Sequence, residues 1–565
     1  MKFIRVDMSR LAVHITGAPA EYGGLGGRAV TSGLIAAEVH PRCHPLGPAN
    51  KLVIAPGLLT GSAAPCSGRT SIGAKSPLTG AIKESNVGGR SGQYLACHGI
   101  KALVVEGVPA DGKTRVLVIN GEGAYLEEKP QLAGLGNYDL TEALAGEYGS
   151  NCAFITIGPA GEKKAAVATV AVNDLEGRPS RHAGRGGMGA VMGSKGLKAI
   201  IIDRPALPLR PPASPGPFKE MVREFAEKMQ KSKKALHDYG TAVLVNAINE
   251  SGGLPTRNFS TGKNEMALEI SGETLNRLCS ERGGTTGHPC SRGCAIRCSN
   301  TFHDENGNYL TSALEYETIA LLGSNCGLNK LDAIAVLDRL CDDLGMDTME
   351  MGITLGVAME GGLLPFGDFS RMKDCLKEVV AGTVLGRVLG QGAVITGRVL
   401  GVQRVPAVMG QGLPAYDPRS VKGTGVTCAT STMGADHTAG NCLPGRGGID
   451  CHKAEGQINL SRVMQELSGL CDILGMCIFV GPVPETLPDL VSMTGAFSGD
   501  QTNAQELVER AKQMLKTEAA FNEGAGVGKG QHHLPLYFRT EPLPNNGLVF
   551  DVPPDEMEEL ARFAY

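Results

Sequence analysis

At 565 residues the chain can bury a sizeable core and should divide into roughly two to four domains. A net charge of -4 with 20% charged residues excludes the basic field that nucleic acid requires and the acidic tail that marks disorder, so small molecules or other proteins are the expected partners. The opening "MKFIRVDMSRLAVHIT" has no apolar core and nowhere do about 18 apolar residues run together, so neither a signal peptide nor a membrane span is expected, and the default compartment is the cytoplasm. There, sixteen cysteines are not a disulfide framework. Scattered ones such as Cys43, Cys97, Cys152 and Cys375 read as small buried hydrophobes, and clustered ones as metal ligands.

Residues 1 to about 205 read as β-rich with little helix. "KLVIAPG", "KALVVEGV", "TRVLVING", "CAFITIGPAG", "KAAVATVAVN" and "LKAIIID" are short, β-branched and bounded by turn residues, as strands are. The proline-dense stretch from Pro205 to Pro217 cannot continue a central strand and reads as a linker. Beyond it the period changes: Phe218, Val222, Phe225 and Met229 fall at helical spacing, and "LDAIAVLDRLCDDLGMD" is a second amphipathic helix. A Gly/Pro-rich break near 410 opens a third region. The expected division is a β-rich domain over residues 1–208, a helical domain over 209–410 and a mainly helical domain over 411–565, an α+β multidomain fold.

Three features carry chemistry. Asp342-Asp343-Leu344-Gly345-Met346-Asp347 and Asp472-Ile473-Leu474-Gly475-Met476-Cys477 share Asp-x-x-Gly-Met at the end of an apolar helical stretch. Either copy alone reads as a glycine helix stop; together they suggest a pseudo-symmetric site with carboxylates facing two similar ligands. "HPCSRGCAIRCSN" sets Cys290, Cys294 and Cys298 at steps of four, and Pro289 and Gly293 argue against one regular helix through them. Such thiolates suit an iron-sulfur cluster with a distant fourth ligand such as Cys477, zinc with His288 or His303, or buried structural thiols. "SRHAGRGGMGAVMGSKGLKAI" contains Gly184, Gly186 and Gly189 at G-x-G-x-x-G spacing, but "NDLEGRPSRHA" before it does not read as a strand, so the dinucleotide label is dropped. What remains is a glycine-rich turn or a phosphate cradle of backbone N–H groups with Arg181, Arg185 and Lys195.

Residues 50–89, "IGPAGEKKAAVATVAVND" with the glycine-rich stretch after it, "YGTAVLVNAINESGGLPTRNF", "EYET", "LPAYDPR" and the paired Asp-x-x-Gly motifs together resemble the tungsten-containing aldehyde:ferredoxin oxidoreductase family over nearly the whole chain. The resemblance implies a β-rich N-terminal base beneath two helical domains, a tungsten (or molybdenum) ion held by two pterins, and a [4Fe-4S] cluster beside one of them. Carried over by residue, Cys290, Cys294, Cys298 and Cys477 would ligate the cluster. Asp342 and Asp347 would face one pterin and Asp472 the other. Arg69 would lie between pterin and cluster, Arg181 and Arg185 would contact cofactor, and Asn86 with the His182 carbonyl would hold a magnesium ion bridging the cofactor phosphates. Glu317, which alone reads as a helix-surface glutamate, matches the family's acid/base carboxylate. His437, alone an unremarked histidine in a glycine-rich loop, matches its active-site histidine.

The implied activity is oxidation of aldehydes to carboxylic acids, with electrons leaving to ferredoxin or an iron-sulfur partner subunit. A relative performing another low-potential reaction, such as reduction of an aromatic acyl thioester ring, or a non-catalytic electron-transfer subunit, is the alternative. This chain departs from the family pattern in three places. The cluster motif has one more residue between the first two cysteines; Val336-Leu337-Asp338-Arg339 replaces a metal-binding Glu-x-x-His; and Ala439 replaces a lysine two residues after the histidine. Substrate preference, metal identity and homo- or hetero-oligomeric state therefore stay open.

Overall fold

The computed structural model describes residues 1–527 and 530–562. Two six-stranded mixed sheets fill residues 2–202. The first comprises β1 (Lys2–Asp7), β2 (Ala12–Gly17), β3 (Leu52–Pro56), β4 (Thr70–Lys75), β5 (Ile82–Val87) and β6 (Ile100–Glu106) in the order β2-β1-β6-β3-β4-β5. The second comprises β7 (Arg115–Ile119), β8 (Ala124–Glu128), β9 (Ala153–Thr156), β10 (Val170–Val172), β11 (Arg181–Ala183) and β12 (Leu197–Ile202). Read from its far edge, its order is β8-β7-β12-β9-β10-β11. The six expected strand runs all contain strands, because their β-branched and apolar side chains fill a core shared by both sheets.

The second sheet repeats the first strand for strand. β1 pairs antiparallel with β2 and parallel with β6, as β7 pairs with β8 and β12; β3 and β9 occupy matching antiparallel positions. Each half places a helix after its first hairpin, Gly27–Glu38 and Asn137–Tyr148, and another before its last strand, Ser91–Cys97 and Met188–Ser194. Faint sequence echoes accompany the duplication: Gly24-Leu25-Gly26 with Gly134-Leu135-Gly136, and Gly99-Ile100-Lys101-Ala102 with Gly196-Leu197-Lys198-Ala199. Both lysines are buried and reach into those Gly-Leu-Gly turns, Lys101 to the Gly23 and Leu25 carbonyls and Lys198 to the Leu135 carbonyl.

The expectation of little helix before residue 205 is therefore corrected. The two 12-residue helices each start from a glycine N-cap without a side-chain hydrogen bond, so packing against the sheets helps maintain them. The stretch before the glycine run also holds a short strand, β11, antiparallel to β10. That arrangement is no parallel βαβ unit, and the dinucleotide label stays excluded.

After an irregular segment, the chain is mainly helical from Pro215 onward, with two small sheets of three and two strands. Helix Pro215–Ser232 buries Phe218, Phe225 and Met229 as its period requires, with Val222 half-buried. No helix among the described residues is long and apolar enough to cross a membrane.

Candidate active site

The two Asp-x-x-Gly segments end helices Leu331–Leu344 and Gln457–Leu474, and both helices stop at a left-handed glycine, Gly345 and Gly475, each with φ +76°. These ends dock on equivalent points of the duplicated sheets. Gly475 lies on Gly57, just after β3, so closely that a Cβ on Gly57 would sit 2.1 Å from the Gly475 Cα; a Cβ on Gly158, two residues after β9, would sit 2.4 Å from the Leu344 carbonyl carbon. Arg69 N–H donates to the Gly475 carbonyl at 3.1 Å as Thr169 N–H donates to that of Gly345 at 2.9 Å. Cys477 N–H donates to Cys66 as Asp347 N–H donates to Val167. The echo in sequence is thus a near two-fold relation in space, with Cys477 and Asp347 as counterparts.

Two adjoining cavities lie between the sheets and the helices. The larger, about 350 Å³, is lined by Asp472, Arg69, Cys290, Cys298 and Arg181 among others; the second, about 260 Å³, by Asp338, Asp342, Asp347 and Arg185. Asn86, His182, Glu317 and His437 line both, at the junction.

Cys290 and Cys298 line the larger cavity, with Cys294 against Cys290 and Cys477 against Arg69. Arg69 Nη2 stands 3.1 Å from Cys477 Sγ and 3.9 Å from Cys290 Sγ. Cys290 and Cys294 are in thiol contact, and Cys298 lies within the electrostatic reach of the other three. Burial would lower the Arg69 guanidinium, but the Cys477 and Cys290 sulfurs raise it, so it remains a fixed cation beside them. The zinc alternative finds no histidine ligand here. Neither proposed histidine completes the set: His303 turns to the Arg282 carbonyl, and His288 contacts Arg181 and Glu176.

At the junction, Ala415 N–H donates to Glu317 Oε2 at 2.8 Å, which fixes the carboxylate and leaves its buried Oε1 without a hydrogen bond, 3.7 Å from His437 Nε2. Burial pushes the Glu317 carboxyl above its ordinary range against the opposing pull of His437. His437 follows Asp436, which accepts from Thr438 N–H and is ion-paired with the buried Lys83. Burial would raise Asp436, but Lys83, Arg185 and His437 hold it well below the carboxylate range. Among the described residues Asn86 Nδ2, Arg181 Nε and His437 Nδ1 are also buried without a hydrogen-bond partner, so several residues that line these cavities keep an unsatisfied polar atom.

In the second cavity, burial raises Asp342 and Asp347, with Asp338 pushing Asp342 further. Asp342 Oδ1 lies 3.2 Å from His182 Nε2, whose burial lowers it to about 4 and keeps the ring neutral. Arg185 contacts Asp347 at 3.3 Å and donates to the Ala435 and Gly412 carbonyls. In the first, burial raises Asp472 to about 6 against Arg28, which contacts it at 3.2 Å and is held in a fully buried pair with Glu518.

One expectation fails. Lys195, offered as a phosphate cation, is buried away from both cavities, donating to the Gly47 and Asn50 carbonyls. Sequence reading missed Asp338, four residues before Asp342 on one helix; Tyr416, whose ring stands 6.3 Å from His437 and whose hydroxyl neighbours Glu317; and Cys66, whose thiol contacts Cys294. Only the i, i+4 spacing of the two aspartates was a signal available beforehand.

Residues 3–204 match the model of the aldehyde ferredoxin oxidoreductase N-terminal domain, and residues 218–565 match that of domains 2 and 3. This chain belongs to the aldehyde ferredoxin oxidoreductase family. It is 34% identical to a tungsten-containing aldehyde ferredoxin oxidoreductase of Thermococcus kodakarensis, over 96% of this chain and 92% of the relative. The enzyme of the same description from Pyrococcus furiosus is 33% identical with the same coverage. An aliphatic sulfonate oxidoreductase WOR-like subunit of Pyrococcus furiosus is 27% identical over 73% of this chain and 69% of the relative. The fold is shared with the active-site complex BamBC of benzoyl coenzyme A reductase bound to 1,5-dienoyl-CoA, at TM-score 0.81 and 18% identity, over 99% of this chain and 92% of that one.

Proposed function

We propose that this oxidoreductase converts an aldehyde to the carboxylic acid with a tungsten (or molybdenum) bis-pterin group, exporting electrons through a [4Fe-4S] cluster to ferredoxin or an iron-sulfur partner subunit. The supporting observation is the pair of adjoining cavities, each capped by an Asp-x-x-Gly helix end and joined at Glu317 and His437, with four cysteines beside one of them. In this reading Asp472 binds one pterin and Asp342 with Asp347 the other. Arg181 and Arg185 would contact cofactor, while Asn86 with the His182 carbonyl would hold Mg2+. Cys290, Cys294, Cys298 and Cys477 would hold the cluster, and Arg69, against the Cys477 and Cys290 sulfurs, would offset its negative charge. The chain divides into domains 1–208, 209–410 and 411–565, and the free thiols suit a reducing cytoplasm.

The metal-pterin group, when bound, supplies a two-electron sink that the cluster empties one electron at a time. The rest falls to the chain. Oxidising RCHO with water to RCOOH releases two protons and two electrons, and Glu317 Oε1, on a carboxylate whose other oxygen is held by Ala415 N–H and itself without a hydrogen bond among the described residues, accepts one proton as the C–H and O–H bonds break. His437, with Nε2 toward Glu317, orients the aldehyde oxygen by a hydrogen bond. The apolar lining from Leu244, Met464 and Phe479 excludes water other than the reactant.

Elemental analysis with pterin release, followed by anaerobic aldehyde titration with a viologen dye, tests the reading. Tungsten or molybdenum, about four iron per chain and dye reduction are expected. Metal-replete protein that reduces no dye with any aldehyde, or that instead reduces an aromatic thioester, overturns it.

A further inference from the structure

A fifth cysteine, Cys66, is built into the four-cysteine set and is tied to it from both sides. Its backbone N–H donates at 3.0 Å to the carbonyl of Gly293, inside the loop that carries Cys290 and Cys294. Its own carbonyl accepts from Cys477 N–H at 2.8 Å. Cys66 therefore bridges the two stretches of chain, 290–298 and 477, from which the proposed ligands come. The side chain is only 2% exposed, and its thiol contacts that of Cys294. It stands there at φ +62°, in the left-handed region that a residue with a Cβ normally avoids.

The duplicated fold supplies an internal comparison. Val167 is the counterpart of Cys66: its N–H donates to the Gly390 carbonyl at 3.2 Å, and its carbonyl accepts from Asp347 N–H at 2.9 Å. Val167 is as deeply buried, at 1% exposed. The two positions make the same backbone bridge, so the bridge itself does not require sulfur. The thiol stands on the half whose helix end is followed by Cys477, and an apolar side chain stands on the half where Asp347 takes that place.

The donors around the sulfurs are also divided. Arg69 serves Cys477 and Cys290, while Cys294 Sγ accepts from Arg297 N–H at 3.2 Å and meets Cys66. Cys294 is the half-buried member of the four, on the loop that is one residue longer than the family pattern. A cysteine that ligates iron is a thiolate and an acceptor, whereas a neighbouring thiol outside the ligand set has an S–H to donate. Hydrogen bonds to cluster sulfurs offset negative charge and so favour the reduced form.

We propose that Cys66 is a positioning residue for the cluster, donating its S–H to the Cys294 thiolate and thereby raising the cluster's reduction potential. The proposal rests on the cluster reading above and adds a residue that acts through a ligand without being one.

The test uses the holoenzyme, with iron content measured and the cluster followed by EPR in a redox titration. Cys66→Ala should keep about four iron per chain, and its equilibrium constant for reduction should fall about three- to tenfold. At 59 mV per tenfold for one electron, that is about 30–60 mV toward more negative potential. Cys66→Ser keeps an O–H donor and should recover most of the difference, while Cys294→Ala should lose iron. An unchanged potential in iron-replete Cys66→Ala would show that the thiol only fills space, and a serine variant shifted as far as the alanine one would show that no hydrogen bond is involved. Iron lost from Cys66→Ala would make Cys66 a ligand or part of the scaffold and would equally overturn the donor role. Wild-type protein without an iron–sulfur EPR signal on reduction overturns the cluster reading itself.

Discussion

Glu317 Oε1 and His437 Nε2 face each other across 3.7 Å at the junction of the two cavities, and the carboxylate oxygen has no hydrogen bond among the described residues. A buried acceptor left open in this way costs stability unless a ligand fills it, so the pair is arranged for something that arrives between them. The other oxygen, Oε2, is tied to Ala415 N–H, and that contact survives replacement by an amide oxygen. Glu317→Gln should therefore keep its metal and cluster content and its denaturation midpoint within about 1 kcal/mol, while losing at least about 100-fold in kcat as proton transfer fails. Loss of metal in this variant would make Glu317 a structural residue.

The acid limb of activity follows from the same carboxyl. Burial raises its pKa and His437 lowers it, with a net rise above the ordinary range near 4.5. A raised carboxyl stays protonated to higher pH, so the base form is lost as pH falls through that raised value and regained above it. The kcat/KM profile should thus rise with pH along a limb centred above the ordinary glutamate range. His437→Gln removes the opposing influence, and in its residual activity that limb should move further up. A limb at or below 4.5, or a downward move in the histidine variant, contradicts the assignment.

How much of this was visible in the residues alone depends on the range of the interaction. β3, β6, β7 and β12 were legible because each is mainly a run of β-branched and apolar residues, buried apart from Glu106 at the end of β6. Helices Gly27–Glu38 and Asn137–Tyr148 were not, since each begins at a glycine without a capping side chain and depends on contacts with the sheets. The duplication escaped because topology and burial repeat while few side chains do; Gly-Leu-Gly and Gly-x-Lys-Ala were its only marks. The Asp-x-x-Gly ends were readable as local motifs. The Lys83–Asp436 pair beneath His437 joins residues 353 positions apart, and no pattern in the chain announces it.

Arg69 offers a prediction about electron export. Its cation lies 3.1 Å from the Cys477 sulfur, where it favours the more negatively charged, reduced form of whatever those thiolates hold. Arg69→Gln removes a charge-assisted contact, and the proposed cluster should become harder to reduce. A loss of about 1.4 kcal/mol corresponds to about 60 mV toward more negative potential for a one-electron couple. Redox titration followed by EPR of the reduced cluster reads this shift, and an unchanged or more positive potential would show that Arg69 acts elsewhere.

The near two-fold docking of the helix ends is testable through glycines whose value is space rather than backbone freedom. Gly57 lacks the left-handed φ that favours glycine, yet a Cβ there would stand 2.1 Å from Gly475 Cα and 2.2 Å from its nitrogen; at Gly158 a Cβ would meet the Leu344 carbonyl at 2.4 Å. Both neighbours are backbone, which cannot rotate away as a side chain tip does. Gly99 is the converse, with φ +72° and nothing within 4 Å of a Cβ. Gly57→Ala and Gly158→Ala should each cost about 2–4 kcal/mol, and Gly99→Ala about 1 kcal/mol. Denaturant midpoints give the order, and tungsten content gives the consequence. Displacing either helix end moves Asp472 or Asp342, so the two alanine variants at the contacts should bind less metal, whereas Gly99→Ala should not. Equal losses at all three positions would mean that backbone conformation, and not the close approach of sheet and helix, governs this part of the fold.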